Sequence, residues 1–366
     1  MEVPLMDLKA QYMLLREDLL KAVDDALTSM QLFLGPNVQA LEKDWADYCG
    51  TAHAFGVGNG TEAIFLALKA LGIGPGDEVV TVSWTFFATI EAIVHTGATP
   101  VVVDVHPDTL TMDPERLADA IGDKTRAVIP VHVFGHPADI DAIRRVTLPR
   151  DVFIVEDAAQ AHGALYKDRR VGSLGIASSF SFYLTKNLGG YGEGGMVTTG
   201  CDWVADSLSL LRNHGHRSKY EHEIIGYNAR LDEIQAAMLR VKLEYLDEWN
   251  RKRRRLAAMY DERLSDLPLQ TPYEAEWAQH VYHLYAIRTD RRDELAKALE
   301  EAQIGHSLHY QAPPHMQPAC RPFGLSQVDL PVTMELSKRV IQLPIHPLMK
   351  DEEVDYVCDV VRKTLG

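Results

Sequence analysis

The sequence predicts an α/β protein: a largely parallel sheet covered by helices on both faces, followed by a smaller α+β unit. Three observations lead there. From about residue 50 to about residue 200, short β-branched runs alternate with helical patterns, the signature of successive strand–helix–strand units. The chain has 366 residues, more than the ~150 usual for one domain, which suggests two, read as 1–250 and 251–366. Beyond a long helical segment ending near Leu264, a single strand pattern flanked by helices remains.

The elements follow in order. Leu14, Leu15, Leu19, Leu20, Val23 and Leu27 recur on one face and place a helix over 9–29. A second helical stretch runs from Gly35-Pro36 to about Tyr48. Strands are expected at Glu78–Val82, Pro100–Val105, Ala127–Val133, Val152–Glu156, Ser178–Tyr183 and Gly195–Thr199. Helices fall between several of them, at Thr61–Leu71, Phe86–Thr96, Pro114–Ile121 and Ala138–Val146. A long helix spans Leu231–Leu264, and its run Arg251-Lys252-Arg253-Arg254-Arg255 reads as a solvated face. The last unit has a strand at Val281–Arg288 and helices near Arg292–Gln303 and Asp351–Thr364. A stretch with Pro313, Pro314, Pro318 and Pro322 reads as an ordered loop.

Composition narrows the function classes. Lys and Arg number 37 against 52 Asp and Glu, a formal net charge of −15, which argues against nucleic acid as a partner. A small basic pocket for one anion remains compatible with that charge. Cys49, Cys201, Cys320 and Cys358 are scattered and signal neither a metal site nor a disulfide framework. Met1 is followed by Glu2 and Pro4 rather than by a basic and then apolar leader, and no run approaches the ~20 apolar residues that cross a bilayer. A cytoplasmic protein with no membrane partner is the expectation.

Three motifs carry chemistry. In Gly56-Val57-Gly58-Asn59-Gly60-Thr61, glycines precede a predicted helix, where free N–H groups and the helix dipole favour an anion. A dinucleotide fingerprint fits poorly, because Thr61 stands in the third glycine's slot and Asp77 precedes its strand instead of following one. A single phosphate fits better, and a tight turn with a helix cap would show the same pattern. The second motif, Val155-Glu156-Asp157-Ala158-Ala159-Gln160, puts carboxylates at the end of an apolar strand, facing the ligand crevice of a parallel sheet. Asp157 could equally cap a following helix.

The third motif is Ser179-Phe180-Ser181-Phe182-Tyr183-Leu184-Thr185-Lys186-Asn187-Leu188-Gly189-Gly190, followed by Gly192-Glu193-Gly194-Gly195. A lysine among this many glycines and aromatics points to a desolvated amine of lowered pKa, able to bond a carbonyl. Together the motifs suit pyridoxal phosphate. It needs a lysine for its aldehyde (Lys186), an acid for its pyridinium nitrogen (Asp157) and donors for its phosphate (the glycine turn and Ser181). Thr85-Phe86-Phe87 offers an aromatic ring at the end of a strand.

On these residues the chain resembles the DegT/DnrJ/EryC1/StrS family of pyridoxal-phosphate-dependent nucleotide-sugar aminotransferases. The similarity runs over nearly the whole length. It includes Leu34-Gly35-Pro36, Gly74-Pro75-Gly76-Asp77-Glu78-Val79, Pro130-Val131-His132-Val133-Phe134-Gly135, Arg212-Asn213-His214-Gly215 and Gly226-Tyr227-Asn228-Ala229-Arg230-Leu231-Asp232. The resemblance implies the fold type I of aspartate aminotransferase, with a large and a small domain, and a homodimer whose subunits share active sites.

The resemblance also implies roles. Lys186 would bond the aldehyde and shuttle the proton, with Asp157 on the pyridine nitrogen and Gln160 near the 3-hydroxyl. Phe86 would stack on the ring, Trp84 being two positions away. Gly60, Thr61 and Ser181 would hold the phosphate, with Asn228 reaching in from the partner subunit unless it caps the helix ahead of Leu231. Tyr183, Tyr220, Arg230, His309 and Tyr310 would contact substrate. Leu184 departs from the proline or small residue common in the family. The family's dehydratases carry histidine where this chain has Lys186, so the lysine favours transamination.

The implied donor is L-glutamate. The implied acceptor is a keto-sugar nucleotide, most similar to a dTDP-linked 3-oxo-6-deoxyhexose aminated at C3. C4-aminating and UDP-sugar members share much of the pattern. A sugar dehydratase, a non-catalytic regulator and a nicotinamide-dependent oxidoreductase are the competing readings.

Overall fold

A computed structural model describes the whole chain, Met1–Gly366. In order the elements are α1 (Leu8–Ser29), α2 (Pro36–Cys49), β1 (His53–Val57), α3 (Gly60–Ala70), β2 (Glu78–Val82), α4 (Ala88–Thr96), β3 (Thr99–Val103), α5 (Pro114–Ala120), β4 (Thr125–Ile129) and α6 (Ile140–Thr147). Then come β5 (Phe153–Asp157), β6 (Leu165–Tyr166), β7 (Arg169–Arg170), β8 (Ala177–Ser181), β9 (Gly195–Thr199), α7 (Asp202–Leu211), β10 (His216–Ser218), β11 (Glu221–His222) and α8 (Glu233–Leu243). The chain ends with α9 (Leu246–Leu264), β12 (Ala278–Gln279), β13 (Tyr285–Arg288), α10 (Arg292–Glu301), α11 (Pro331–Arg339), β14 (Val340–Leu343) and α12 (Asp351–Leu365).

The main sheet has seven strands in the order β1-β9-β8-β5-β4-β2-β3. Pairing is parallel from β8 through β3, and β9 runs antiparallel to both β8 and β1. Six strands therefore end on one edge of the sheet, the edge where ligands enter parallel α/β folds. One face is packed by α3, α4 and α7 through Ala63, Leu66, Ile93, Val204 and Leu208. The other is packed by α2, α6 and α8 through Leu41, Trp45, Ile143 and Leu239. Burial on both faces explains the apolar runs Val79–Val82 and Ala127–Ile129.

A separate core gathers Leu256, Tyr260, Tyr285, Ile287, Leu299, Ile341, Val357 and Val361 around the β13–β14 pair. Val3, at the chain's start, joins it through a bridge to Ile304. The expected division at 250/251 falls inside α9.

Three expectations need correcting. The helix over Leu231–Leu264 is two helices, redirected at Glu244-Tyr245 without proline or glycine; Tyr245 stacks on buried Trp249 and turns α9 onto a new surface. The basic run is not wholly solvated. Arg253 is buried and donates to the carbonyls of Tyr282 and Ile345. The strand at Val281–Arg288 begins only at Tyr285, because the Val281 and Leu284 amides are taken by the carbonyls of Gly135 and Phe134. The proline-rich stretch is three short 3-10 turns between Pro314 and Gln327.

Candidate active site

Alternation along β5 sends its two final carboxylates to opposite sides. Glu156 is buried and accepts from the amides of Gly172, Leu174 and Gly175, from the Ser178 hydroxyl and from His132. Burial pushes its carboxyl up, but these bonds more than offset that, and it stays below the usual range. Glu156 thus fixes the turn into β8 and is a structural group.

Asp157 faces the crevice at the strand ends. Its Oδ2 accepts from the Thr89 hydroxyl at 2.8 Å and its Oδ1 from the Ala159 amide at 3.2 Å. No helix follows β5, so Asp157 is not a helix cap. Burial raises its pKa, opposed by the Thr89 and Ala159 bonds and by the charge of Lys186.

Lys186 lies in the loop between β8 and β9, in a turn closed by its own amide on the Tyr183 carbonyl and by the Gly190 amide on the Phe182 carbonyl. Burial lowers its pKa to about 8, and the Asp157 carboxylate is the group that opposes the fall. The amine and the acid, 29 positions apart in sequence (157 to 186), sense each other in one crevice. Next to the amine, Asn187 is anchored to Asn250 at 2.9 Å and to the Val281 carbonyl at 3.1 Å, and it faces His283.

The glycine turn lies against the end of β8. A Cβ on Gly60 would sit 2.7 Å from Cβ of Ser181, so only glycine lets the start of α3 come this close to that hydroxyl. Asn59 caps α3 by accepting the Glu62 amide at 2.9 Å. The first-turn amides of Gly60 and Thr61 have no intrahelical acceptor. Asn59 thus caps α3, and the start of that helix lies against Ser181.

Gln160 accepts the Phe134 amide at 2.7 Å and donates to the Tyr310 hydroxyl at 2.9 Å. Tyr310 packs on Phe134 and against the edge of Trp84. Trp84 is fully buried, whereas Phe86 is 62% exposed, so Phe86 is the ring free to cover a ligand. His309 stands close enough to Lys186 that burial and that charge lower its pKa. Tyr183 is exposed on the Lys186 loop.

Three expected residues stand apart in this chain. Tyr220, at the tip of the β10–β11 hairpin, is 86% exposed. Asn228 is exposed and bridges Asn213, while Asp232 takes the capping position of α8, so Asn228 is not a cap. Arg230 donates to Asn213 at 2.9 Å and lies over the Phe33 ring. No hydrogen bond links any of the three to Lys186, Asp157 or Ser181. Around them Ile224, Ile225 and Tyr227 are exposed.

Sequence reasoning missed Thr89, Asn187 and His283. Thr89 stands four residues after Thr85, in the first turn of α4, and the two hydroxyls meet at 2.8 Å.

The residues fit pyridoxal phosphate: a desolvated amine, a buried carboxylate whose charge acts on it, a helix start lying against a serine hydroxyl and an exposed aromatic ring. A profile of the DegT/DnrJ/EryC1/StrS aminotransferase family matches residues 14–362. A dTDP-3-amino-3,4,6-trideoxy-alpha-D-glucose transaminase from Streptomyces venezuelae is 46% identical over 99% of this chain and 96% of its own length. A pleiotropic regulatory protein from Geobacillus stearothermophilus is 43% identical over 99% and 98%. The crystal structure of S. venezuelae DesV with a ketimine intermediate superposes with a TM-score of 0.97, at 46% identity, covering 99% of this chain and 98% of that one. The pyridoxal-phosphate form of a putative sugar aminotransferase from Streptococcus pneumoniae superposes at 0.90, with 29% identity and coverage of 96% and 97%.

Proposed function

The chain belongs to the DegT/DnrJ/EryC1/StrS aminotransferase family, and from that premise we propose that it moves an amino group from L-glutamate to C3 of a dTDP-linked 3-oxo-6-deoxyhexose. That it is a pyridoxal-phosphate-dependent aminotransferase of nucleotide sugars follows from the family. The position and the nucleotide rest on its likeness to the Streptomyces transaminase, which is named for a 3-amino sugar on dTDP. The observation that supports the catalytic reading is the placement of buried Asp157 at the end of β5 and of Lys186 on the loop after the neighbouring strand β8, where each charge acts on the other.

Pyridoxal phosphate, when bound, supplies an aldehyde that takes up the amino group and a ring that accepts electrons from the carbon losing its proton. The chain's own residues do the rest. Lys186 would hold the aldehyde, and its amine would take the proton from the donor carbon and deliver one to the sugar carbon. An amine with a pKa near 8 is basic enough to take that proton and is neutral often enough to act near neutral pH. Asp157, held by Thr89 and Ala159, keeps a proton on the ring nitrogen. The Gly60 and Thr61 amides and the Ser181 hydroxyl bind the phosphate, joined by Asn228 of the partner subunit in a homodimer. Phe86 would cover the ring and Gln160 would hold its 3-hydroxyl side. His309 and Tyr310 at the mouth, Tyr183 on the loop, and Tyr220 and Arg230 on the exposed arm bind the sugar nucleotide. A cytoplasmic setting is part of this proposal. No helix is long and apolar enough to cross a membrane.

The test is incubation of cofactor-loaded protein with glutamate and a panel of dTDP- and UDP-linked 3-oxo and 4-oxo sugars, with products read by NMR. Nitrogen at C3 of a dTDP sugar is the expected result. Nitrogen at C4, or turnover of UDP sugars alone, contradicts the specificity, and dehydration without nitrogen transfer contradicts the reaction.

A further inference from the structure

Lys242 is buried in α8, and its one hydrogen-bond partner is a backbone carbonyl rather than a carboxylate. Its ammonium donates to the Gly189 carbonyl and lies 4.9 Å from the centre of the Tyr191 ring. Two turns earlier on the same helix, Gln235 accepts the Tyr191 amide at 2.9 Å. Its side chain also fills the space in which a Cβ on Gly190 or Gly192 would sit, at 2.7 and 2.9 Å. Positions seven apart share a helix face. One face of α8 therefore grips three consecutive residues, Gly189, Gly190 and Tyr191, which begin three positions after Lys186.

Burying a cation without a counter-ion is costly, and a methionine would fill the same volume without that cost. Burial pushes the Lys242 amine down to about 7. The charge that remains is spent on one backbone carbonyl. That carbonyl belongs to the loop whose other fixed points are the Phe182–Gly190 closure and the anchored Asn187. With Asn187 held from α9 and Gly189–Tyr191 held from α8, little freedom remains for the backbone that aims the Lys186 amine.

We propose that Lys242 and Gln235 are positioning residues that clamp the Lys186 loop from α8 and so hold the reactive amine in register. This rests on the reading of Lys186 given above. The test uses cofactor-loaded protein and the variants Lys242→Met, Gln235→Leu and Gln235→Glu, the last keeping an acceptor for the Tyr191 amide. Hydrogen exchange of residues 186–192 is measured beside kcat and KM.

The expected result for Lys242→Met and Gln235→Leu is exchange at least about tenfold faster in that loop alone. kcat should fall about tenfold, with KM for glutamate within about twofold. Gln235→Glu should restore both. Unchanged exchange in the loop, or faster exchange with unchanged kcat, overturns the proposal. If Lys242→Met does not fold, the two Gln235 variants decide. Turnover by Lys186→Ala would instead remove the reading of Lys186, while exchange in the loop would still report whether the clamp exists.

Discussion

The Thr89 hydroxyl donates to Oδ2 of Asp157 at 2.8 Å, and the same hydroxyl meets that of Thr85 at 2.8 Å. The acid at the end of β5 is thus held from α4, across the crevice, in one orientation and closer to its ionised state than burial alone would leave it. Thr89→Val keeps the shape and removes the donor. The Asp157 carboxyl should move further up, and about 1–3 kcal/mol of stability should be lost with the bond to a buried charged group. kcat should drop about tenfold, equivalent to about 1.4 kcal/mol of barrier. Thr89→Ser should restore most of it. Steady-state kinetics and thermal unfolding of the two variants check this, and equal activity of valine and serine would refute it.

The same crevice sets a sign for Lys186. Burial lowers its pKa to about 8 and Asp157 opposes the fall, because a nearby negative charge favours the ammonium. Asp157→Asn should therefore lower the Lys186 pKa further and increase its neutral fraction near neutral pH, even as turnover falls by about 10² or more. Amine labelling of cofactor-free protein across a pH series, read at the Lys186 peptide by mass spectrometry, measures it. A midpoint that rises in the variant would show that the two groups do not face each other.

Exposed Asn228, beside exposed Ile224, Ile225 and Tyr227, gives the dimer proposal a direct test. Asn228→Ala and Lys186→Ala each damage both sites of a homodimer. If Asn228 serves its partner's site, a mixed dimer carries one intact site and one doubly damaged site. Refolded equal mixtures should then reach about one quarter of wild-type activity, above either parent. Activity no higher than the parents' average places Asn228 in its own subunit's site or in none.

Buried histidines set the acid limit. Burial lowers His136 and His346 to about 4 and His162 to about 3. Unfolded, each takes its proton near pH 6.5; folded, each stays neutral until about pH 4 or below. The unfolded state therefore binds more protons across that window, so stability falls as pH falls through it. The unfolding temperature should decline as pH falls below about pH 6. A flat profile down to about pH 4.5 contradicts this reading.

Strand–helix alternation revealed the sheet, because strands buried on both faces must be apolar and β-branched. β1 escaped it because His53–Val57 contains Gly56 and pairs only with the antiparallel β9. The break at Glu244 escaped because no proline or glycine marks it, and the burial of Arg253 because a basic run looks solvated until its carbonyl partners, 29 and 92 positions away, are known. Lys186, Asp157, Gly60 and Ser181 were legible as residue types that one cofactor requires. Thr89, Asn187, Gln235 and Lys242 were not, since ordinary helix and loop residues acquire their part only through contacts far away in sequence.

The central claim is that the amine at Lys186 bonds pyridoxal phosphate. Borohydride reduction of cofactor-loaded protein, followed by digestion and mass spectrometry, tests it most directly. The expected result is the pyridoxyl phosphate mass on the peptide containing Lys186, and its loss in Lys186→Ala. That mass on another lysine, or on none, would contradict it.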